Sequence, residues 1–299
     1  MTHTEEAYVR IGIIGFGKMG SAIGARLVAC NHELIAWSRD QRKVEASKIA
    51  AYASTPRQVI DQSDIIISIL ANDEATEHAY FGAGGICETR LDGKVIIEMC
   101  TMLPERARQL CHAVHSAGGA FLECPVGGTV KPALDGALVG MAAGDRATFD
   151  RVRPLLDEMT RRLDFLGDVG NAAAMKLAIN LPLMVYWGAL GEAVALLGRH
   201  DIDVEQAFNI LTDSSGAIGP AKARQGPIID LIKNGQSGVS NFAIDQAIKD
   251  MNLMKSQAGQ CGFECPIITA ALDTATGAKD AGWDKKDISL LAAWRTRGD

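Results

Sequence analysis

Gly15-Phe16-Gly17-Lys18-Met19-Gly20 is a G-x-G-x-x-G run set between a β-branched stretch, Val9 to Ile14, and a helical stripe of Met19, Ile23 and Leu27. In that setting the first glycine makes a tight turn, the second lets the backbone approach a pyrophosphate, and the third lets the helix lie close on the strand. The start of the helix adds unbonded N–H groups and the positive end of its dipole, both suited to phosphate. Roughly twenty residues on, where an acidic residue would bind ribose hydroxyls, the chain reads Trp37-Ser38-Arg39-Asp40. Ser38 and Arg39 come first, and a planar, permanent cation suits a 2′-phosphate. Arg42 and Lys43 add to the positive field, while Asp40 pulls the other way. The pattern predicts NADP(H) in preference to NAD(H), held by Gly15, Phe16, Gly17, Lys18, Met19, Gly20, Ser38 and Arg39. Leu70, at the end of another apolar run, counts as a further cofactor contact.

A second set of residues suits proton transfer and carboxylate binding. Lys176 and Asn180 stand four apart on a long apolar helix and therefore share a face. A lysine desolvated among Met175, Leu177, Ile179 and Leu181 has its pKa drawn toward neutrality and can exchange a proton with a carbinol oxygen. Gly127-Gly128-Thr129 follows a strand and offers successive N–H groups to a carboxylate. Lys249-Asp250 lies on a later helix. Each has a blander reading: a lysine that snorkels, a plain glycine turn, a solvated helix face.

These groups need elements to hold them. The first half alternates short strands (Val9 to Ile14, Leu34 to Trp37, Ile65 to Leu70, Val95 to Glu98) with helices (Met19 to Cys30, Pro56 to Gln62, Glu74 to Phe81, Pro104 to Ala117). That alternation predicts a doubly wound, mostly parallel sheet. Ala120 to Glu123, Leu138 to Ala143 and Leu163 to Leu166 are further strands, and Ala147 to Met159 is a helix. Beyond Gly170 no strand is expected. Ala172 to Arg199 reads as one long helix, followed by helices over Val204 to Asp213, Pro220 to Lys233, Phe242 to Cys261, Pro266 to Ala281 and Asp287 to Arg295. The expected architecture is a Rossmann-type α/β domain over residues 1–169 and an all-α substrate and dimerisation domain over 170–299, joined by a long interdomain helix.

The 299 residues suffice for about two such domains. With 30 basic and 36 acidic residues the net charge is −6, which argues against a nucleic-acid binder. At 47% hydrophobic and 22% charged the chain is neither disordered nor fibrous. Its seven scattered cysteines form no zinc pattern, so no metal is expected, and free thiols fit a cytoplasmic location. Met1 to Tyr8 is polar, without a signal-peptide pattern. Leu177 to Leu197 is apolar but contains Asn180, Pro182 and Glu192, which suits a buried helix better than a membrane span. Burying so apolar a helix calls for a homodimer or larger assembly.

With the glycine loop, Pro125-Val126-Gly127-Gly128-Thr129, the Lys176–Asn180 pair and Lys249-Asp250 in this order, the chain resembles the β-hydroxyacid dehydrogenase family over nearly its whole length. The resemblance implies a dinucleotide-binding domain and a helical domain, with Thr101 of Cys100-Thr101 near the nicotinamide. It also implies a substrate loop at Glu123 to Gly128, in which Gly127, Gly128 and Thr129 join Lys176 and Asn180 in holding a small-molecule substrate. Lys176 and Asn180 take the places of the family's catalytic pair, and Lys249 lies near the nicotinamide. The activity implied is hydride transfer between the cofactor and a small β-hydroxy acid or its semialdehyde. Departures are Gly127 for the family's loop serine, Cys100 for the serine before Thr101, Pro182 in mid-helix where a kink is expected, and Gln246 for an apolar residue. An NADPH-dependent imine reductase on the same fold is the alternative, and a non-catalytic nucleotide-binding protein is the third reading.

Overall fold

The computed structural model describes residues 10–197 and 200–296. Met1 to Tyr8, Val9 of the first expected strand, and Gly198-Arg199 at the end of the expected long helix lie outside the described residues. The chain forms two compact units, one ending at Lys176 and the other beginning at Leu177.

The first unit is built on β1 (Ile11–Ile14), α1 (Lys18–Ala29), β2 (Leu34–Trp37), α2 (Gln41–Ser47), β3 (Ala51–Tyr52), α3 (Pro56–Asp61), β4 (Ile65–Ser68), α4 (Asp73–Phe81), β5 (Val95–Glu98), α5 (Pro104–Ser116) and β6 (Ala120–Glu123). After these come β7 (Val126–Gly127), α6 (Val130–Leu134), β8 (Leu138–Gly144), α7 (Arg146–Met159), β9 (Thr160–Phe165) and the long α8 (Asn171–Leu196). The sheet order is β3-β2-β1-β4-β5-β6-β8-β7, with β9 also beside β8. β1 to β6 pair in parallel; β8 runs antiparallel to β6 and to β7. The chain therefore winds outward from β1 in one direction and from β4 in the other, which leaves a crevice at the carboxyl ends of those two strands.

The apolar runs are continuous because both faces of the sheet are covered. In β4 and β5, Ile65, Ile67, Val95 and Ile97 enter one core cluster, while Ile66 and Ile96 enter another. That is the two-residue alternation of a strand, with apolar residues at the first three positions of each and a polar one, Ser68 or Glu98, at its end. The helices start where local chemistry allows: Pro104 opens α5, and Thr55 ahead of Pro56 accepts the Gln58 N–H at 3.2 Å.

In the second unit, α9 (Val204–Thr212), α10 (Ala221–Asn234), α11 (Ile244–Gln260) and α12 (Pro266–Ala278) follow α8. Among the described residues no strand occurs after β9; a single bridge joins Ala243 and Asp287. α8 continues through Pro182, whose ring nitrogen has no hydrogen to give the Ala178 carbonyl. The helix expected to reach Ala281 ends at Ala278 in a wider turn, Lys279–Trp283, where Gly282 takes a φ of 82°. The last element, expected to start at Asp287, is a 3₁₀ helix over Ile288–Thr296.

Candidate functional site

The three glycines of the first loop are constrained differently. Gly15 has a φ of 104° and donates its N–H to the Trp37 carbonyl at 3.0 Å. A side chain on Gly15 would run into the Ile69 carbonyl, and one on Gly20 into the Gly15 carbonyl. A side chain on Gly17 would meet no atom within 4 Å. Gly17 is the N-cap of α1 and brings no side-chain cap to it. Gly15 and Gly20 are thus held by packing, while Gly17 opens on a cradle at a helix start, the arrangement a pyrophosphate fits. Lys18 is exposed and Met19 half-buried beside it. Phe16 is 1% exposed and belongs to the core, so it supports the loop from beneath.

At the end of β2, Arg39 is exposed and Ser38 half-buried, its Oγ accepting the Asp40 N–H at 3.3 Å. The Asp40 carboxylate is taken by Arg42, at 2.9 and 3.3 Å. The hydrogen bond from Arg42 holds its pKa below the ordinary value. The carboxylate expected to oppose a 2′-phosphate is therefore paired with a neighbour two positions on.

The ends of β4 and β5 are tied together. The Leu70 N–H donates to Cys100 Sγ at 2.9 Å, and the Cys100 N–H to Glu98 Oε1 at 2.8 Å. Tyr80 of α4 donates its hydroxyl to Glu98 Oε2 at 2.7 Å. Burial pushes the Glu98 carboxyl up, against the hydrogen bonds from Cys100 and Tyr80. Burial, and then the Glu98 charge, pushes Tyr80 well above its ordinary value. Two of the expected cofactor contacts, Leu70 and the half-buried Thr101, thus sit on strand ends joined through Cys100.

On the far side of the sheet, Val126 and Gly127 pair with Gly140 and Val139. Gly128 has a φ of 125°, and a side chain there would press on Leu138 at 2.8 Å. Thr129 leads into α6. Just before this loop, Glu123 is 2% exposed, and its Oε1 accepts the N–H groups of Gly170 at 2.5 Å and Ala172 at 3.0 Å. Burial raises its pKa, against these bonds and the charge of Arg108. Burial likewise pushes the Cys124 thiol up to about 12.

Lys176 is half-buried on α8; Asn180, one turn further, is 7% exposed. Of the apolar residues expected to enclose the lysine, Leu177 is buried, but Met175 and Ile179 are exposed. Within the helical unit, Asn180 Nδ2 donates to Asp250 Oδ2 at 3.3 Å, and Lys249 Nζ lies 3.1 Å from Asp250 Oδ1. Asp250 itself is 3% exposed. Asn180 and Lys249, 69 positions apart, therefore meet at one buried carboxylate. Gln246 accepts the Ala243 N–H at 3.2 Å and caps α11, which accounts for a polar residue there.

Sequence reasoning passed over Glu98 and Tyr80, and it placed Glu123 and Asp250 inside matched motifs without giving either a role of its own. A carboxylate closing a buried apolar strand was the available signal for Glu98 and Glu123. Asp250 stood beside a chosen lysine. Nothing in the local sequence singles out Tyr80.

Residues 10–167 match the family model described as the NAD binding domain of 6-phosphogluconate dehydrogenase, and residues 170–294 the one described as NAD-binding of NADP-dependent 3-hydroxyisobutyrate dehydrogenase. Glyoxylate/succinic semialdehyde reductase 1 of Arabidopsis thaliana is 29% identical over 285 residues, 95% of this chain and 97% of the relative. The chloroplastic glyoxylate/succinic semialdehyde reductase 2 of the same plant is 30% identical over 293 residues, 97% of this chain and 80% of the relative. A solved 3-hydroxyisobutyrate dehydrogenase from Salmonella typhimurium shares the fold at a TM-score of 0.85, with 22% identity over 96% of this chain and 99% of that one.

Proposed function

The chain belongs to the β-hydroxyacid dehydrogenase family of NAD(P)-dependent oxidoreductases acting on CH–OH groups, and from that premise we propose that it is an NADPH-linked reductase of a small carbonyl acid, with Lys176 as proton donor. The observation that carries the reading is the meeting of Asn180 and Lys249 at the buried Asp250. That one carboxylate contacts both side chains, and both are candidate site residues that it can orient toward each other. Relatives named for glyoxylate and succinic semialdehyde set the substrate class to test.

The dinucleotide, when bound, supplies the hydride to the carbonyl carbon. Gly17 and the start of α1 would hold its pyrophosphate. Arg39 would hold a 2′-phosphate, and Arg42 pairs with the neighbouring Asp40 carboxylate that would otherwise oppose it. Lys176, as an ammonium, gives its proton to the oxygen that becomes the hydroxyl, and Asn180 orients that oxygen with its amide. Gly127, Gly128 and Thr129 take the substrate carboxylate. A positioned acid of this kind contributes about 10²–10⁴-fold. None of the seven cysteines is in a disulfide, in keeping with a cytoplasmic enzyme. The exposed Met175 and Ile179 of α8 suit burial by a second copy of the chain.

The test is NADPH-linked reduction of glyoxylate and succinic semialdehyde, with NADP-linked oxidation of 3-hydroxyisobutyrate, glycerate and 3-hydroxypropionate alongside. Turnover of one of these acids, reduced about a hundredfold or more in Lys176→Ala, is the expected result. Turnover of a cyclic imine and of none of the acids would replace the reading with an imine reductase. Tight NADPH binding without turnover of any compound would make the chain a nucleotide-binding protein.

A further inference from the structure

Glu123 is placed unlike an ordinary helix cap. Helix starts are usually capped by a Ser, Thr, Asp or Asn within the same turn of chain. Here the oxygen that takes the Gly170 and Ala172 N–H groups comes from the end of β6, 47 and 49 positions earlier. The carboxylate is nearly sealed from water, and burial alone would favour its neutral form. Its other oxygen, Oε2, is buried without a hydrogen-bond partner. A fold that needed only a cap had cheaper choices.

The surroundings fasten the same junction. Arg108 of α5 donates to the Val169 carbonyl at 3.4 Å. Gly170 has a φ of 104°, and a side chain there would run into the Arg108 guanidinium. The charged and titratable groups around Glu123 are Arg108, whose charge favours the ionised form, and the thiols of Cys111 and Cys124, pushed up by burial first and by the Glu123 charge second. Residues 169 to 172 are therefore gripped by a guanidinium on one side and a carboxylate on the other.

Two parts of the candidate site leave this grip in opposite directions along the chain. From Glu123 the backbone passes through Cys124, Pro125 and Val126 to Gly127 and Gly128. From Ala172 the helix climbs one turn, about 6 Å, to Lys176. We infer that Glu123 is a positioning residue: its carboxylate fixes the height of the Lys176 turn relative to the glycine loop that receives the substrate. The inference rests on the reading of Lys176 as the proton donor. Reaction rates are sensitive to such placement, and a displacement of about 1 Å costs up to about a hundredfold.

The experiment uses the full chain in four forms: parent, Glu123→Gln, Glu123→Asp and Lys176→Ala. Reduction of succinic semialdehyde and glyoxylate is followed with NADPH and with NADPH deuterated at the transferred position, and NADPH affinity is titrated separately. Gln keeps the reach and loses the charge; Asp keeps the charge and draws it back by one methylene. With NADPH affinity within twofold of the parent, the expected kcat falls about 10- to 100-fold in Glu123→Gln and about 3- to 10-fold in Glu123→Asp. In both, the deuterium isotope effect on kcat at least doubles, because the misplaced lysine makes the chemical step limiting.

A purely structural cap gives a different pattern. Loss of folded enzyme lowers the rate without changing the isotope effect, and that result overturns the proposal, as does a parent-like rate in both variants. If Glu123→Gln does not fold, Glu123→Asp decides by the same criteria. If Lys176→Ala keeps the parent's kcat, the proton-donor reading fails and this one with it. If Lys176→Ala is inactive while both Glu123 variants match the parent, only the role of Glu123 is lost.

Discussion

Gly17 and Gly20 are the same residue type three positions apart, and a single methyl group separates their roles. At Gly20 the methyl meets the Gly15 carbonyl, so Gly20→Ala forces the loop and α1 apart. Overpacking of this kind costs about 1–3 kcal/mol, and the urea midpoint is expected to fall accordingly. At Gly17 the methyl has open space and the φ is −82°, which any residue adopts. Gly17→Ala is therefore expected to unfold within about 0.5 kcal/mol of the parent while losing at least tenfold in NADPH affinity. Equal stability losses in the two variants, or full NADPH binding by Gly17→Ala, would remove Gly17 from the phosphate site. The neighbouring cofactor assignment has its own check. Arg39→Ala is expected to lower NADPH affinity about tenfold or more and leave NADH affinity within about twofold, the size of one charge-assisted phosphate contact. An unchanged ratio of the two affinities would show that Arg39 does not read the 2′-phosphate.

At the scale of elements, the helical unit is held by one carboxylate that joins three segments. Asp287 accepts the N–H groups of Asn241 and Phe242 at 2.8 and 3.0 Å ahead of α11, the Ser289 hydroxyl at 2.7 Å in the last helix, and Arg224 of α10 at 2.9 Å. Arg224 also lies over the Trp187 ring of α8, 5.7 Å from its centroid. Truncation strands a half-buried guanidinium and two backbone donors, so Asp287→Ala is expected to cost about 2–4 kcal/mol, measured as a shift of the urea midpoint. A loss under 1 kcal/mol would mean that water replaces the carboxylate. This knot was invisible beforehand, because its members lie 63 positions apart and have no period. Elements with a period were legible: β2, β5 and β6 occupy the residues expected for them, and the glycine loop sits where its flanking strand and helix require. β3 and β7, two residues each, are too short to show alternation. α2 hides in a charged run with only Val44 buried. The site follows the same division: the loop, Lys176, Asn180 and Lys249 were read from local spacing and resemblance, whereas Glu98, Glu123 and Asp250 act through partners supplied by the folded chain.

For the molecule as a whole, the two units carry buried carboxylates shifted in opposite senses, and this sets how each meets acid. In the sheet unit Glu98 and Glu123 are raised, chiefly by burial. A group raised in the folded state stabilises fully below its unfolded pKa, about 4.3 for Glu, and that contribution is lost as pH rises through the folded value. In the helical unit burial also acts to raise Asp287, but Arg224, Ser289 and the Phe242 N–H outweigh it, and its pKa is lowered. Its contribution is present above about 3.9 and is lost as pH falls through the lower folded value. The lowered Asp40, Asp92 and Asp145 of the sheet unit lie at the surface, where solvent and salt screen such pairs. Acidification from pH 7 to about 4.3 is therefore expected to hold or raise the melting point of the sheet unit, and further acidification below about 3.9 to lower that of the helical unit first. The tryptophans separate the signals, because Trp187, Trp283 and Trp294 lie in the helical unit and Trp37 alone in the sheet unit. Thermal melts followed by tryptophan fluorescence and by calorimetry at pH 7, 5 and 3.5 make the comparison. The fluorescence transition is expected to fall below the main calorimetric one only at the lowest pH. A sheet-unit transition that falls first, or a fluorescence transition unmoved at pH 3.5, would show that Asp287 and the two buried glutamates do not govern the acid response.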